Sequence, residues 1–173
     1  MKFISALSLL IGAAAASPFQ VGRRDSQNPD KFLLKTSGSE NPDHNDLYVY
    51  GYHTGAGLND AVLTPDVETA STGFLNGTKL QFDYNTTFPW GMNPVGVTNY
   101  AAWQFVQINA GAGQDGFSIN STGLQFSQEK GFGGWLVCDW WHNAPQLFYI
   151  YRYYEPRYPG SCSEVKLLTE PTA

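Results

Sequence analysis

Aromatic and polar residues are concentrated in residues 133–156, GGWLVCDWWHNAPQLFYIYRYYEP, which contain three of the five tryptophans. Exposed aromatic rings beside hydrogen-bonding side chains can stack on sugar rings, because the ring face is apolar and its neighbours are polar. The pattern favours a carbohydrate site, for which the ring candidates are Trp140, Trp141, Tyr149, Tyr151 and Tyr153. The hydrogen-bonding candidates are Asp139, His142, Asn143 and Gln146. The alternative is that all of these rings lie in the core and in cross-strand pairs.

The tyrosines of this segment alternate along one predicted strand. Tyr149, Tyr151 and Tyr153 share one face of that strand, while Phe148 and Ile150 share the other. Because Phe148 and Ile150 have no polar atom, their face is predicted to pack in the core. The tyrosine face is predicted to keep its hydroxyl groups in water.

Histidines and aspartates provide the candidates for acid–base chemistry. Asp60 lies seven residues after His53, and Asp139 lies three residues before His142. A histidine and an aspartate that converge on one cleft could act as general base and acid in a small hydrolase. The sequence has no H-E-x-x-H, G-x-S-x-G or C-x-x-C motif, so no catalytic residue is assigned. No group of residues has metal-ligand spacing, and we predict neither a metal nor a cofactor.

Two glycine-rich segments resemble phosphate-binding loops only superficially. TGAG at Thr54–Gly57 and AGAG at Ala110–Gly113 lack the strand–loop–helix context of a dinucleotide site. They are predicted to be turns that need a positive φ. A backbone nest for an anion or a sugar hydroxyl is the minor alternative.

The chain is acidic and weakly charged. Charged residues make up 14% of its 173 residues, aromatic residues 15% and hydrophobic residues 42%, and the formal net charge is −5. Loss of residues 1–24 would remove three basic residues and no acid, which leaves a net charge of −8. Nucleic acids and anionic membranes are bound by basic surfaces. We therefore expect neither of them as a partner.

The N-terminus has the features of a secretory signal. A basic start, a short apolar stretch and small residues in an A-x-A arrangement predict that the first 16 residues are cleaved off after Ala16. Residues 17–30 are predicted to be a flexible arm, with dibasic processing at Arg23-Arg24. The alternative is that these two arginines are solvated residues of a tail. Residues 31–173 are then one domain.

Export would place two cysteines and three sequons in an oxidising, glycosylating compartment. Cys138 and Cys162 allow one intrachain disulfide, which stabilises the fold by roughly 3 kcal/mol in the chain-entropy model. The candidate N-glycosylation residues are Asn76, Asn85 and Asn120, all at predicted turns. The alternatives to the disulfide are two free thiols or a metal-binding pair, and the alternative to glycosylation is that the sequons are unused.

Short apolar or alternating runs separated by Gly, Asn, Asp and Pro predict an all-β domain. The predicted strands are Phe32–Lys35, Asp46–His53, Ala61–Leu63, Gly73–Leu75, Lys79–Tyr84, Ala102–Asn109, Phe117–Asn120, Leu124–Ser127, Trp135–Trp140, Gln146–Arg152 and Val165–Leu168. The first and last of them are expected to pair and close the structure. The segments GFLNGTKLQF (73–82) and GFSINSTGLQF (116–126) echo each other as two hairpins. Repeated hairpins with about a dozen short antiparallel strands favour a β-trefoil-like fold, with a β-sandwich as the alternative.

Several segments together resemble a family of small secreted fungal proteins that is known only as a domain of unknown function. They are LYVYGYHTGAGLNDAVL, ASTGFLNGTKLQFD, FPWG, INAGAGQDGFSIN and GFGGWLVCDWWHNAPQLFYIY, and the likeness covers most of residues 31–170. The segments GFSINSTGLQF, GWLVCD and QLFYIY are distantly similar to the phialide cell-wall protein family of moulds. The resemblance implies an extracellular or cell-wall location. It supplies no catalytic residues.

These features predict a secreted, glycosylated, non-enzymatic extracellular protein that is associated with the cell wall or secreted toward a host, with carbohydrate as its ligand. The first alternative is a secreted effector or structural wall protein that acts through an extracellular protein partner. The second alternative is a small secreted hydrolase in which His53 or His142 works with an aspartate.

Overall fold

The computed structural model describes residues 30–94, 102–127, 131–140, 142–151 and 157–172. These residues form twelve β-strands and one turn of 3-10 helix (Pro42–His44). The strands are β1 (Phe32–Ser37), β2 (Tyr48–Gly55), β3 (Leu58–Thr64), β4 (Gly73–Asn76), β5 (Lys79–Phe82), β6 (Trp90–Pro94), β7 (Trp103–Ala110), β8 (Phe117–Asn120), β9 (Gly123–Phe126), β10 (Phe132–Asp139), β11 (Pro145–Tyr151) and β12 (Cys162–Pro171). Within these described residues, no helix has the length and apolar character needed to span a membrane.

The strands close into a barrel. Nine of them form a ring of hydrogen-bonded neighbours, in the order β10, β12, β1, β4, β5, β6, β7, β3 and β11, and then back to β10. Strand β2 forms a hairpin with β3 and also pairs with β1, while β8 and β9 form a separate two-stranded sheet. Closure lets each strand of the ring pair on both sides, so it removes the exposed edges that an open sheet would present.

The two ends of the domain are joined by backbone pairing and by the disulfide. Strand β1 pairs with β12 in antiparallel register from Phe32–Pro171 to Ser37–Lys166. Strand β12 also pairs with β10, where Cys138 lies opposite Cys162 and is bonded to it. The predicted pairing of the first and last strands and the predicted disulfide are both confirmed.

Three hairpins of the barrel meet at one junction. They are β2–β3, β6–β7 and β10–β11, and the second strand of each pairs with the second strands of the other two. The residue pairs that join them are Asp60–Gln107, Gln146–Val62 and Phe148–Phe105. Because side chains alternate along a strand, one face of this junction fills the core and the other faces outward.

The main core fills the barrel. It receives alternate residues of nearly every strand, among them Leu34, Val49, Leu63, Leu80, Met92, Ile108, Leu124, Trp135 and Leu167. Tyr149 and Tyr151 belong to this core and are 1% exposed, whereas Phe148 and Ile150 lie in a smaller outer cluster with the disulfide. The predicted orientation of β11 is therefore reversed. The hydroxyl of Tyr149 donates to that of Tyr151 at 2.8 Å, so the two polar atoms satisfy each other inside the core.

Both glycine-rich segments are turns, as predicted. Gly57 and Gly113 have φ values of 72° and 79°, which favour glycine. A Cβ atom on Gly91 of β6 would lie 2.2 Å from the backbone nitrogen of Gly113. The second turn therefore packs directly on β6, which leaves no room for a side chain at either glycine.

The all-β class, the dozen strands and the disulfide are confirmed. The sequence did not predict β6, because glycine and proline interrupt its pattern. Strand β6 forms through its partners, since Gly91 pairs with Gln81 of β5 and Met92 pairs with Ile108 of β7. The predicted cleavage sites at Ala16 and Arg24 lie outside the described residues.

Candidate functional site

Three polar side chains lie together on the outer face of the hairpin junction. They are Asp60 of β3, Gln107 of β7 and Gln146 of β11. Their chain neighbours Ala61, Val106 and Leu147 point into the main core. Strand alternation therefore forces Asp60, Gln107 and Gln146 outward, and the pairing of β3 with both other strands brings them together.

A cavity opens above these side chains. Its volume is about 440 Å³, and it is lined by Thr54, Asp60, Phe105, Gln107, Trp140 and Gln146. We call this space the Trp140 cavity. It combines two aromatic rings with four side chains that carry oxygen or nitrogen. A concave site with a few converging polar groups is typical of small-molecule and sugar binding.

Trp140 forms the exposed wall of the Trp140 cavity. Its ring meets the rings of Trp103 and Phe148 edge to face, with centroid separations of 5.8 and 5.3 Å. These contacts hold the indole in one orientation while the residue remains 41% exposed. A fixed and partly exposed indole is suited to stacking, because little side-chain entropy remains to be lost on binding.

The polar wall of the Trp140 cavity is held by a hydrogen-bond network. Nε2 of His142 lies 2.7 Å from Oδ2 of Asp60, and Nε2 of Gln107 donates weakly to Oδ1 of Asp60 at 3.4 Å. Oε1 of Gln107 accepts from Nδ2 of Asn109 at 3.0 Å. The ring of Tyr52 packs on that of His142 with a centroid separation of 4.4 Å. The network fixes the carboxylate and leaves Thr54, Gln107 and Gln146 at the cavity surface.

Gln146 differs from the other polar groups of the Trp140 cavity. The residue is 2% exposed, and its Oε1 atom has no hydrogen-bond partner among the described residues. A buried carbonyl oxygen without a partner costs roughly 1–3 kcal/mol. Buried carbonyl oxygens in native structures nearly always accept a hydrogen bond, so Oε1 of Gln146 retains an unused capacity to accept one.

A second polar cluster lies beside the disulfide. Nδ1 of His44 lies 2.6 Å from Oγ of Ser163, Nε2 of His44 lies 3.4 Å from Oδ1 of Asp139, and Oγ of Ser39 lies 2.6 Å from Oγ of Ser163. The residue types are those of a serine hydrolase. The exposure is reversed, however, because His44 is completely buried and the Asp139 side chain is 63% exposed. The cluster therefore fastens the 3-10 turn to β10 and β12.

The predicted aromatic site is only partly assembled. Trp140 lines the cavity, while the burial of Tyr149 and Tyr151 in the core removes both from it. Trp141 and Tyr153 lie outside the described residues. Gln146 and His142 were predicted to supply hydrogen bonds. Gln146 lines the cavity, and His142 belongs to the hydrogen-bond network that supports it. Thr54, Phe105 and Gln107 were missed, although the polar–apolar alternation of WQFVQINA was a signal for the last two.

The histidine–aspartate pairs differ from those that the spacing suggested. The structure pairs His142 with Asp60 and His44 with Asp139. His53 is exposed, and it lies on the opposite face of β2 from Tyr52, which packs on His142. Among the described residues, no cluster of three or more His, Cys, Asp or Glu could hold a metal ion.

All three sequon asparagines are exposed, as turn positions require. Asn76 ends β4, Asn120 ends β8, and Asn85 lies in the loop between β5 and β6. The side chain of Asn76 donates a hydrogen bond to Gln81 in the same hairpin. The side chain of Asn120 accepts hydrogen bonds from Thr122 in its own hairpin.

The chain is thus a small disulfide-bonded β-barrel protein with a polar and aromatic cavity at the hairpin junction. Residues 29–171 match the family described as Domain of unknown function (DUF7907), and the chain belongs to that family. It matches no curated protein and no solved structure.

Proposed function

We propose that this chain is a non-enzymatic carbohydrate-binding protein and that the Trp140 cavity is its sugar site. The observation that carries the proposal is Gln146, a residue that lines the cavity and whose buried Oε1 atom has no hydrogen-bond partner among the described residues. A sugar hydroxyl would donate to it. We further propose that the protein is exported and is associated with a fungal cell wall, as its N-terminal signal and its resemblance imply.

A sugar suits both walls of the Trp140 cavity. Its ring has an apolar C–H face, which packs on an indole, and a rim of hydroxyl groups that donate and accept hydrogen bonds. Trp140 offers the indole, and Asp60, Gln107 and Gln146 offer acceptors and donors on the facing wall. None of the six lining residues is Lys or Arg, so an anionic sugar would meet the Asp60 carboxylate without a cation to balance it. Neutral polysaccharides such as β-glucan, chitin and cellulose are therefore the expected ligands.

We also propose that the barrel is a β-trefoil. Its support is the mutual pairing of β3, β7 and β11, which places three hairpins around one point. Further support comes from the pairings of β1 with β12 and with β4, and of β4 with β5. A trefoil presents related surfaces three times, which suits the recognition of repeating polymers.

A second candidate is acid–base hydrolysis of a glycoside, favoured by the contact between His142 and Asp60 at the cavity wall. It predicts release of reducing ends from a polysaccharide, and loss of that release in His142→Ala. The binding proposal predicts retention on the polymer without release.

The test is retention of the purified protein on insoluble chitin, β-glucan and cellulose. The wild type should be retained on at least one of them, and Trp140→Ala should weaken retention about tenfold, which is the effect of about 1.4 kcal/mol. Phe88→Ala is the matched control, because Phe88 is an exposed aromatic residue outside the Trp140 cavity. Equal retention of the two variants, or no retention of the wild type, would overturn the proposal. In the latter case a protein partner becomes the leading alternative.

A further inference from the structure

We infer that Asn85 carries an N-glycan whose first GlcNAc packs into the pocket formed around Phe88. The inference rests on the predicted export and is independent of the Trp140 cavity. The pocket has a volume of about 330 Å³ and is lined by residues of the β5–β6 loop together with Lys31, Phe74 and Phe82. We call it the Asn85 pocket, because both chain neighbours of Asn85, Tyr84 and Thr86, are among its lining residues.

Phe88 is an exposed aromatic ring that the rest of the fold does not explain. It is 47% exposed, and its ring rests on that of Trp90 with a centroid separation of 5.6 Å. Tyr84 meets Trp90 edge to face at 5.5 Å, and the rings of Tyr84 and Phe88 belong to the aromatic wall of the Asn85 pocket. Packing a sugar on this wall would cover apolar surface that is otherwise left in water.

The loop that carries the sequon is already held in place. Oγ1 of Thr86 accepts from Nε1 of Trp90 at 3.0 Å and donates to the carbonyl oxygen of Phe88 at 2.7 Å. The backbone nitrogen of Asn85 donates to Oδ1 of Asp83 at 3.1 Å, and Asp83 is paired with Lys31 at 2.6 Å. A loop fixed by these bonds loses little entropy when a glycan packs against it.

The sequon at Asn85 differs from the other two in its surroundings. Asn76 and Asn120 end strands, and the residues before them, Leu75 and Ile119, line a different pocket from the opposite side of each strand. Asn85 has a φ of 54° and lies in a loop rather than at the end of a strand; both of its chain neighbours line the Asn85 pocket, although Asn85 itself does not. Its side chain is exposed and makes no hydrogen bond among the described residues, so Nδ2 is free to carry a sugar.

The modification needs a lipid-linked oligosaccharide diphosphate as donor. Nδ2 of Asn85 would form a bond to C1 of the first GlcNAc, the C1–phosphate bond would break, and the displaced lipid diphosphate would leave as an anion. The amide proton lost from Nδ2 is taken up by the transferase. Thr87 supplies the hydroxyl that the sequon requires.

The experiment uses the full chain secreted from a eukaryotic host. Glycopeptide mass spectrometry measures occupancy at the three asparagines, and an endoglycosidase then trims each glycan to a single GlcNAc. The expected result is an occupied Asn85 and a Tm about 2 to 4 °C above that of Thr87→Ala, which keeps Asn85 and removes the sequon. The stabilisation should vanish in Phe88→Ala, survive in Phe88→Tyr, and survive in Ile119→Ala, the control that removes an exposed apolar side chain elsewhere.

A second readout does not depend on any variant. The acetyl methyl resonance of the Asn85 GlcNAc should move upfield of the GlcNAc methyl resonances at other occupied sequons, because it lies over an aromatic ring. An empty Asn85, a stabilisation that is equal with and without Phe88, or an unshifted methyl resonance would each overturn the inference.

Discussion

Nε2 of His142 lies 2.7 Å from Oδ2 of Asp60, although the two residues are 82 positions apart in the sequence. His142 belongs to the β10–β11 loop that also carries Trp140, and Asp60 belongs to β3. Both side chains are nearly buried. The contact therefore holds the loop that carries Trp140 against the strand that carries Asp60, and both of these residues line the Trp140 cavity.

Removal of His142 should destabilise the fold and loosen the Trp140 cavity. In His142→Ala, the Asp60 carboxylate loses its nearest partner while it remains buried, and we expect the free energy of unfolding to fall by about 1–3 kcal/mol. Urea unfolding measures the change. His53→Ala is the control, since His53 is exposed and should alter the free energy by less than about 0.5 kcal/mol. Equal losses in the two variants would contradict the structural role of the pair.

Gln146→Met should separate ligand binding from stability. Methionine has a similar size and lacks the unpaired oxygen, so the free energy of unfolding should change by less than about 0.5 kcal/mol or rise. Binding of the retained polysaccharide should fall about tenfold through the lost acceptor. Unfolding and retention assays on the same preparation give both values. Undiminished binding would show that Gln146 does not contact the sugar.

The disulfide should provide a large part of the stability. Cys138 and Cys162 are 24 positions apart and connect the neighbouring strands β10 and β12. Replacement of both by alanine should lower the free energy of unfolding by about 3–4 kcal/mol in the chain-entropy model. Denaturant unfolding with and without a reducing agent checks this. The double variant should not respond to the reducing agent, and a wild type that is equally insensitive would refute the prediction.

The cluster around His44 should stabilise the fold rather than catalyse a reaction. His44→Ala leaves a cavity and removes one of the two hydrogen-bond partners of the Ser163 hydroxyl, and we expect a loss of about 2–4 kcal/mol. Asp139→Asn alters an exposed residue at a distance of 3.4 Å and should cost less than about 0.5 kcal/mol. Thermal unfolding of both variants compares them. A labelled Ser163 after treatment with a serine-reactive organophosphonate would instead show a reactive hydroxyl, against the structural role.

Acid should remove the contribution of the Lys31–Asp83 ion pair. The hydrogen bond from Lys31 and that from the Asn85 backbone lower the pKa of Asp83 below its ordinary value of 3.8. A lowered pKa means that the stabilisation is present above the ordinary value and is lost as the pH falls through the folded-state value. The Tm difference between wild type and Asp83→Asn should therefore be small, because both partners are about one third exposed, and should shrink below about pH 4. A difference that grows toward acid pH would contradict this sign.

The sequence predicted strands better than it predicted faces. Alternation in QLFYIYRYY located β11, but it could not say which face points inward, because that depends on the strands that pair with β11. Side-chain chemistry suggested that Phe148 and Ile150 were inside. The pairing of β11 with β10 and β7 instead turns Tyr149 and Tyr151 into the core. Their two hydroxyl groups hydrogen-bond to each other, which satisfies these polar atoms where they are buried.

The site was predictable to the extent that its residues are close in sequence. Trp140, His142 and Gln146 come from one segment, and that segment was recognised. Asp60 and Gln107 reach it through long-range strand pairing, which no local pattern encodes. The same limitation explains why Asp60 pairs with His142 and Asp139 with His44, and neither with the histidine nearest to it in the sequence. Spacing along the chain reports only local neighbours.

The most direct test of the sugar site is NMR titration of the ¹⁵N-labelled protein with a soluble oligosaccharide of the polymer that retains it. We expect the side-chain amide signals of Gln146 and Gln107 and the indole N–H signal of Trp140 to shift with one common affinity. The indole N–H of Trp90, beside the Asn85 pocket, should not shift. Shifts at Trp90 with an unchanged Gln146, or no shifts at all, would contradict the account.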